Sequence, residues 1–180
     1  MRVHYAIVAP VGGGKTTALR WLVQRFPGKV AGVLAERVGG DPPEGYELVF
    51  VPTGERWPYV RSRPPGVRVG RFWIRLEVIQ RASEGLAVEQ PDLWVLDEVG
   101  PLELLRGQGW FSWLERRLAV PAPPVVLTLR SALEPWLRQR FPGVAWRMYA
   151  PAEVPRLLEA LLRGREGRGK GLQKPSPHTR

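Results

Sequence analysis

Short apolar segments alternate along this chain with segments whose apolar residues recur at helical spacing. The apolar segments predict strands at 3–8, 30–35, 46–51, 93–96, 125–129 and 144–149. The helical spacing predicts helices at 19–26, 76–86, 110–118, 133–141 and 154–162. Strands that alternate with helices predict an α/β fold with a mainly parallel central sheet.

The boundaries of this pattern indicate one folded domain, residues 1–163, followed by a basic tail. Residues 164–180 contain few apolar side chains, so we expect a disordered tail. The middle segment, 38–75, is rich in Pro and Gly and is the least regular. There we expect the 46–51 strand to pair with a neighbour within 67–74.

Composition narrows the classes of function. The chain has no Cys and two His, which excludes disulfides and thiolate metal sites and disfavours a catalytic triad. No apolar run approaches the roughly 18 residues that a membrane span needs, and the N-terminus lacks a signal-peptide pattern, so we expect a cytoplasmic protein. The absence of Asn and Cys suggests a thermophile.

The formal net charge of +10 is the most unusual property of the composition. Such a charge suits polyanions, including nucleic acid. A solvated Arg-rich surface with a basic tail explains it as well. We favour this second interpretation because the Arg residues are scattered along the sequence, and nothing beyond charge indicates nucleic acid.

Residues 9–16, Ala-Pro-Val-Gly-Gly-Gly-Lys-Thr, match a phosphate-binding P-loop between a predicted strand and a predicted helix. Glycines allow backbone N–H groups to surround phosphate oxygens, the Lys reaches the β- and γ-phosphates, and the hydroxyl ligates Mg²⁺. The one departure is Ala in place of the usual first Gly. The residues predicted to bind nucleotide are Ala9, Gly12, Gly13, Gly14, Lys15, Thr16 and Thr17.

Two adjacent carboxylates, Asp97 and Glu98, end the apolar strand at 93–96. Ligands of open α/β sheets bind at the carboxyl ends of strands. We therefore predict that Asp97 and Thr16 hold Mg²⁺ and that Glu98 is the general base toward water. The guanine motif of GTPases is excluded, because the chain has no Asn and no Lys followed two residues later by Asp. A protein-kinase loop is excluded because it needs a catalytic Asn.

These residues resemble the small thermophilic nucleoside-triphosphatase family, the THEP type, whose animal member is called the cancer-related nucleoside triphosphatase. The family typically carries Asp-Glu-Ile-Gly-Lys-Met-Glu-Leu, and residues 97–104 read Asp-Glu-Val-Gly-Pro-Leu-Glu-Leu. Glu36-Arg37 and the 69–72 segment, Val-Gly-Arg-Phe, look like two further family elements. The agreement in length and motif order covers about 3–162.

The resemblance implies a P-loop NTPase of the RecA-like three-layer type that hydrolyses several NTPs slowly, with little base preference. Three departures are Ala9 in the P-loop, Ala35 before Glu36, and Pro101 where the family has Lys. If that Lys aids catalysis, its loss slows turnover.

Other residues near the motifs are candidates for supporting roles. Glu103 fits either an acid that orients water or Mg²⁺, or a residue at a helix start. Thr128 is a candidate sensor of the γ-phosphate. For an arginine finger the candidates are Arg37, Arg71 and Arg130, and Arg130 is the one predicted to lie at the same sheet edge as Glu98.

The predicted function is Mg²⁺-dependent hydrolysis of ATP, GTP or another NTP to NDP and phosphate. A nucleotide or nucleoside kinase is one alternative, with the five Arg of 56–71 as a lid over an acceptor. An NTP-dependent nucleic-acid-binding protein is another. An oligomeric form stays open, because sites of this class often include residues of a second subunit.

Overall fold

Nine strands form one mixed sheet with helices on both faces. We describe them from a computed structural model, which describes residues 1–169. The strands are β1 (Arg2–Ala9), β2 (Val30–Val38), β3 (Gly45–Val51), β4 (Arg56–Arg61), β5 (Val67–Val69), β6 (Phe72–Ile74), β7 (Leu93–Val99), β8 (Val125–Arg130) and β9 (Val144–Tyr149). The α-helices are α1 (Lys15–Arg25), α2 (Leu76–Leu86), α3 (Pro101–Leu104), α4 (Phe111–Leu118), α5 (Glu134–Arg140) and α6 (Val154–Gly169).

The strand order is β5-β6-β4-β3-β2-β7-β8-β1-β9. The five strands from β2 to β9 in this order pair in parallel, and we call them the parallel half. The strands β3 to β6 pair antiparallel, and we call them the antiparallel extension. The α/β fold is confirmed, with parallel pairing confined to one half of the sheet.

Two apolar cores lie on opposite faces of the sheet. One contains Leu19 and Leu22 of α1 and Leu157 of α6, and we call this side the α1 face. The other contains Ile79 of α2 and Leu114 of α4, and we call it the α2 face. Burial of one Leu side chain contributes about 2 kcal/mol to the free energy of folding, so these buried residues hold the helices on the sheet. Within residues 1–169, no helix has the length and apolar content that a membrane crossing requires.

The predicted partner of the 46–51 strand is wrong. β3 lies between β2 and β4, and the 72–74 strand is one position further out, beside β4. The chain reverses after β3 in a tight turn, where the Gly54 amide donates to Phe50 O at 2.7 Å and the Glu55 amide donates to the Thr53 hydroxyl at 3.3 Å. This hairpin brings β4, which contains Pro58 and was not predicted, directly against β3.

The predicted start of a disordered tail at residue 164 is also wrong. α6 continues to Gly169, so residues 164–169 are helical, and the rest of the predicted tail lies outside the described residues. Tertiary contacts hold this last part of the helix. Arg165 pairs with Asp92 at 3.7 Å, and its guanidinium lies 5.3 Å from the centre of the Phe26 ring.

Candidate active site

The P-loop connects β1 to α1, as the sequence predicts. Gly12 and Gly14 have φ angles of 72° and 82°, which other residues rarely adopt. Gly13 is required for a different reason, because a Cβ atom there would lie 2.7 Å from the Cβ of Ala9 and 2.9 Å from Pro10 O. Ala9 is buried and occupies the space beside Gly13, so the departure from Gly is accommodated inside the loop.

Lys15 opens α1 and is almost fully buried beneath the loop. Its Nζ donates to Pro10 O at 3.0 Å, which holds the ammonium group under the turn. Thr16 is half-buried, Thr17 is exposed, and Val11 at the tip of the loop is 71 % exposed. The backbone N–H groups of the first helical turn have no partner earlier in the helix, so this helix start favours an anion.

Asp97 lies near the end of β7 and is 1 % exposed. Its Oδ1 accepts a hydrogen bond from the Thr128 hydroxyl at 2.5 Å, and its Oδ2 accepts one from the Ala35 amide at 2.9 Å. Burial raises the pKa of Asp97. Hydrogen bonds act in the opposite direction, and the side chain of Thr16 lies close enough to lower the pKa as well. The two residues predicted to hold Mg²⁺ are therefore adjacent.

The oxygens of Thr16 and Asp97 are ligands that suit Mg²⁺, a hard cation that prefers oxygen. Within residues 1–169, no group of three or more His, Asp or Glu side chains is placed to hold a metal by itself. A Mg²⁺ ion here would therefore also need phosphate and water oxygens, which is its usual mode of binding in phosphoryl-transfer sites.

Glu98 lies in a bulge of β7, where the register against β8 shifts between Leu96 and Val99. Its φ angle is 61°, and among residues 1–169 no other residue except Gly has a positive φ. This backbone conformation costs of order 1 kcal/mol for a residue with a side chain, and bulges of this kind redirect a side chain next to active sites. The bulge therefore changes the direction of the Glu98 side chain from the one that regular strand alternation would give it.

Burial raises the pKa of Glu98, and the charge of Asp97 raises it further. The charges of Lys15 and Arg130 lower it. These influences place the Glu98 carboxylate within the electrostatic field of the P-loop Lys and of the Arg that follows β8.

Thr128 has no exposed surface and lies on β8 between the P-loop strand and the acidic strand. Its hydroxyl donates to Asp97 and accepts from the Glu98 amide at 2.8 Å. The predicted role as a γ-phosphate sensor is not supported by this position, because the single proton of the hydroxyl is already donated to Asp97 and a phosphate oxygen would need that donor. Thr128 holds the bulge instead.

The Glu103 side chain binds backbone amides on either side of α3 and makes no hydrogen bond to the P-loop. Its carboxylate accepts from the Gly100 amide at 3.0 Å and from the Trp110 amide at 3.3 Å, so it caps α3 and fixes the loop before α4. Burial raises its pKa to about 7. Of its two predicted roles, this geometry favours the residue at a helix start.

The three arginine-finger candidates lie in different surroundings. Arg130 pairs in register with Ala9 across β1 and β8, is exposed, and affects the pKa of Glu98. Arg37 and Arg71 instead donate to carbonyls of the 39–44 loop. Arg130 is therefore the candidate that the structure brings to the acidic pair.

The predicted kinase lid is part of the sheet. Residues 56–71 contain β4 and β5, and β4 pairs with a strand on each side. Arg56 at its start joins an ion network with Glu36 at 2.7 Å, and Glu36 also pairs with Arg20 of α1 at 2.7 Å.

Tyr59 is a site residue that the sequence analysis did not identify. It is buried, and its pKa is raised well above the usual value by burial and by the charges of Glu98, Asp97 and Glu103. Its phenol group therefore lies within the electrostatic field of the acidic pair. No alternation marks β4, because the bulge opposite Tyr46 leaves two consecutive buried residues, Tyr59 and Val60.

Comparison with known proteins identifies the family of this chain. The model of the family described as NTPase matches residues 4–143. A relative from Methanopyrus kandleri named nucleoside-triphosphatase THEP1 is 33 % identical over 99 residues, 52 % of this chain and 55 % of the relative. A protein of the same name from Methanosarcina acetivorans is 28 % identical over 147 residues, 77 % of this chain and 82 % of the relative.

The match spans only about half the length of the first of these relatives. A solved structure, the solution structure of a human cancer-related nucleoside triphosphatase, has the same fold with a TM-score of 0.63 and 21 % identity. That similarity covers 97 % of this chain and 100 % of the human one. The resemblance stated from the sequence is confirmed, and the chain belongs to the NTPase family.

Proposed function

We propose that this protein hydrolyses nucleoside triphosphates to nucleoside diphosphates and phosphate in the presence of Mg²⁺. The observation that carries this proposal is the half-buried Glu98 carboxylate, which lies in a bulge beside Asp97 and within the electrostatic field of Lys15. A carboxylate of raised pKa opposite a phosphate-binding Lys suits the activation of water. The names of the homologues support the same reaction.

In the proposed reaction, a carboxylate oxygen of Glu98 accepts a proton from water while the water oxygen bonds to the γ-phosphorus. The bond between the γ-phosphorus and the bridging oxygen breaks, and the diphosphate leaves with the electron pair. The proton on Glu98 then passes to phosphate or solvent. A raised pKa makes the carboxylate of Glu98 a better proton acceptor than an ordinary glutamate.

The P-loop binds the phosphates in this proposal. The backbone N–H groups of 12–17 surround the phosphate oxygens, and the ammonium of Lys15 lies beside the β- and γ-phosphates. Arg130 stabilises negative charge on the transferred group. Because these contacts address phosphates and not bases, we expect ATP, GTP, CTP and UTP to be similar substrates.

Thr16 and Asp97 would hold Mg²⁺ together with phosphate oxygens. When bound, this ion neutralises charge on the β- and γ-phosphates. Asp97 is kept in place by Thr128 and the Ala35 amide. A cytoplasmic location and a thermophilic source remain predictions from composition.

The test is phosphate release from the four NTPs with Mg²⁺ at elevated temperature, comparing the wild type with Glu98→Gln. We expect Glu98→Gln to lower kcat by roughly 10²–10⁴-fold while nucleotide binding is retained. Glu159→Gln on the exposed side of α6 is the matched control and should hydrolyse normally. A chelator should stop release by the wild type.

Hydrolysis by Glu98→Gln at the wild-type rate would refute the role of Glu98. If the wild type releases no phosphate but transfers it to added nucleosides, the kinase alternative replaces the hydrolase.

A further inference from the structure

Trp73 packs in neither of the two apolar cores. Six of the eight Trp belong to the two cores or pack against them, namely Trp21, Trp57, Trp94, Trp110, Trp113 and Trp146. The others are Trp136, 45 % exposed on α5, and Trp73, half-buried on β6. The neighbours of Trp73 along β6, Phe72 and Ile74, pack on the α2-face core, so Trp73 points to the opposite face.

An arginine lies on each side of Trp73 across the sheet. Arg61 of β4 and Arg68 of β5 are both directly opposite it in the strand register. Residues that are directly opposite share one face of a sheet. We call these three residues the Arg-Trp-Arg row. Its outer strands are roughly 10 Å apart, twice the usual strand spacing.

The surroundings of the row are strongly basic. Residues 56–75 contain six Arg and no Asp or Glu. Arg56 and Arg75 pair with carboxylates. Within residues 1–169, no ion pair involves the other four, Arg61, Arg63, Arg68 and Arg71. A further exposed cation, Arg106, donates to Arg68 O at 2.9 Å and so lies beside the row.

The row lies on the face of the sheet that carries α1. Arg20 of α1 pairs with Glu36 of β2, and Glu36 is opposite Glu47 of β3. Gly45, two residues before Glu47 and on the same side of β3, is opposite Arg61. The P-loop helix and the row are therefore on one continuous face.

We infer that the Arg-Trp-Arg row binds single-stranded nucleic acid. One base stacks on the Trp73 ring, and the phosphates on either side of that base contact the two arginines. Such pairing of aromatic and basic side chains recognises single strands with little sequence preference, because every base has a π-face. A duplex offers phosphates but no unstacked base. This binding goes beyond the proposed hydrolysis and does not depend on it.

The experiment measures fluorescence anisotropy of labelled oligo(dT) and oligo(rU) titrated with the full chain. Trp73→Leu should weaken binding between roughly 5-fold and 100-fold, as expected for loss of one stacked base. Trp73→Phe, which keeps an aromatic ring, should retain most of the affinity. Trp136→Leu is the matched control, because Trp136 is the other tryptophan outside the cores, and it should bind as the wild type does.

The salt dependence tests the two arginines. Arg61→Gln with Arg68→Gln should reduce the slope of log K against log salt by about 1.4, because two phosphate contacts are lost. Arg156→Gln with Arg163→Gln removes the same charge from exposed positions on α6 and should leave the slope nearly unchanged. This pair of double variants tests the row even if Trp73→Leu fails to fold.

Three results would overturn the inference: no binding of either oligonucleotide, equal losses in the α6 control, or a duplex bound as tightly as a single strand. ATP hydrolysis by Trp73→Leu without nucleic acid is measured in parallel and should equal that of the wild type. The failure of nucleic-acid binding and the failure of the proposed hydrolysis are thus seen separately.

Discussion

The parallel half and the antiparallel extension differ in whether their charged residues are buried or exposed to solvent. Within residues 1–169, the buried polar or charged residues lie on strands of the parallel half or on a helix that follows one of these strands, and they are His4, Lys15, Asp97, Glu103 and Thr128. The strands of the extension bury none of this kind, and they carry Arg56 and Arg68 at exposed positions and Arg61 at a half-buried one. Burial shifts pKa values and strengthens electrostatic interactions, whereas solvent screens exposed charge. The contrast separates a region suited to chemistry from a region suited to binding polyanions.

The largest expected effect comes from Lys15→Ala in the parallel half. Removal of the buried ammonium should abolish NTP binding or turnover, a loss of at least roughly 100-fold. Lys29→Ala is the control, because Lys29 pairs with Glu89 and is 48 % exposed. Turnover is measured by phosphate release and binding by titration with a fluorescent nucleotide. Near-normal turnover and nucleotide affinity for Lys15→Ala would mean that the buried charge of the parallel half is not needed for the reaction.

Thr128→Val should lower kcat by roughly 10–100-fold with less effect on KM. The valine methyl cannot donate to Asp97 or accept from the Glu98 amide, so the bulge loses its support. Thr128→Ser keeps the hydroxyl and should recover most of the activity. Thr53→Val in the extension is the control. Equal kcat for Thr128→Val and the wild type would mean that the bulge keeps its conformation without the Thr128 hydroxyl.

The third prediction concerns stability and the buried His4. Its Nδ1 accepts from the Val125 amide at 3.1 Å, and its Nε2 donates to Val120 O at 3.1 Å, so the ring is neutral. Burial lowers its pKa to about 4 from 6.5. The unfolded chain therefore binds the proton first as pH falls. The contribution of neutral His4 to the free energy of unfolding is fully present above pH 6.5. It should decline by about 3 kcal/mol as the pH approaches 4.

Urea unfolding of the wild type and His4→Gln at neutral and acid pH measures this difference. The variant should be less stable than the wild type at neutral pH and should lose less on acidification. Parallel curves for the two proteins would contradict a neutral, buried His4.

The smallest expected effect is a shift in the acid limb of kcat. Glu98 must be ionised to accept a proton, and its pKa is raised by burial, so activity should begin to fall above pH 4.5 as the solution is acidified. The charge of Arg130 lowers that pKa. Arg130→Gln should therefore move the acid limb to higher pH, as well as lowering kcat. If the acid limb of the kcat profile does not move in Arg130→Gln, the charge of Arg130 does not act on Glu98.

The parallel half could be predicted from the sequence because its strands are covered on both faces and read as unbroken apolar runs. The P-loop and the acidic pair sit at the ends of such runs, so their meeting at one sheet edge follows from the fold class. The extension could not be predicted as well. β4 combines Pro58 with a bulge at Tyr59, and its partner is chosen by a turn rather than by an apolar pattern.

The sequence by itself determined the α/β class, the P-loop, the acidic pair and the family, because these depend on local spacing and residue chemistry. Only the tertiary structure decided that Thr128 supports the acidic pair, that Glu103 caps α3, and that Trp73 lies between two arginines. The roles of Thr128 and Trp73 depend on strand register, which joins residues 5 to 31 positions apart in the chain. The role of Glu103 depends on how the loop before α4 folds back, because its carboxylate binds amides 3 and 7 positions away. Register is set by packing and turns across the whole sheet, so no local pattern reveals it.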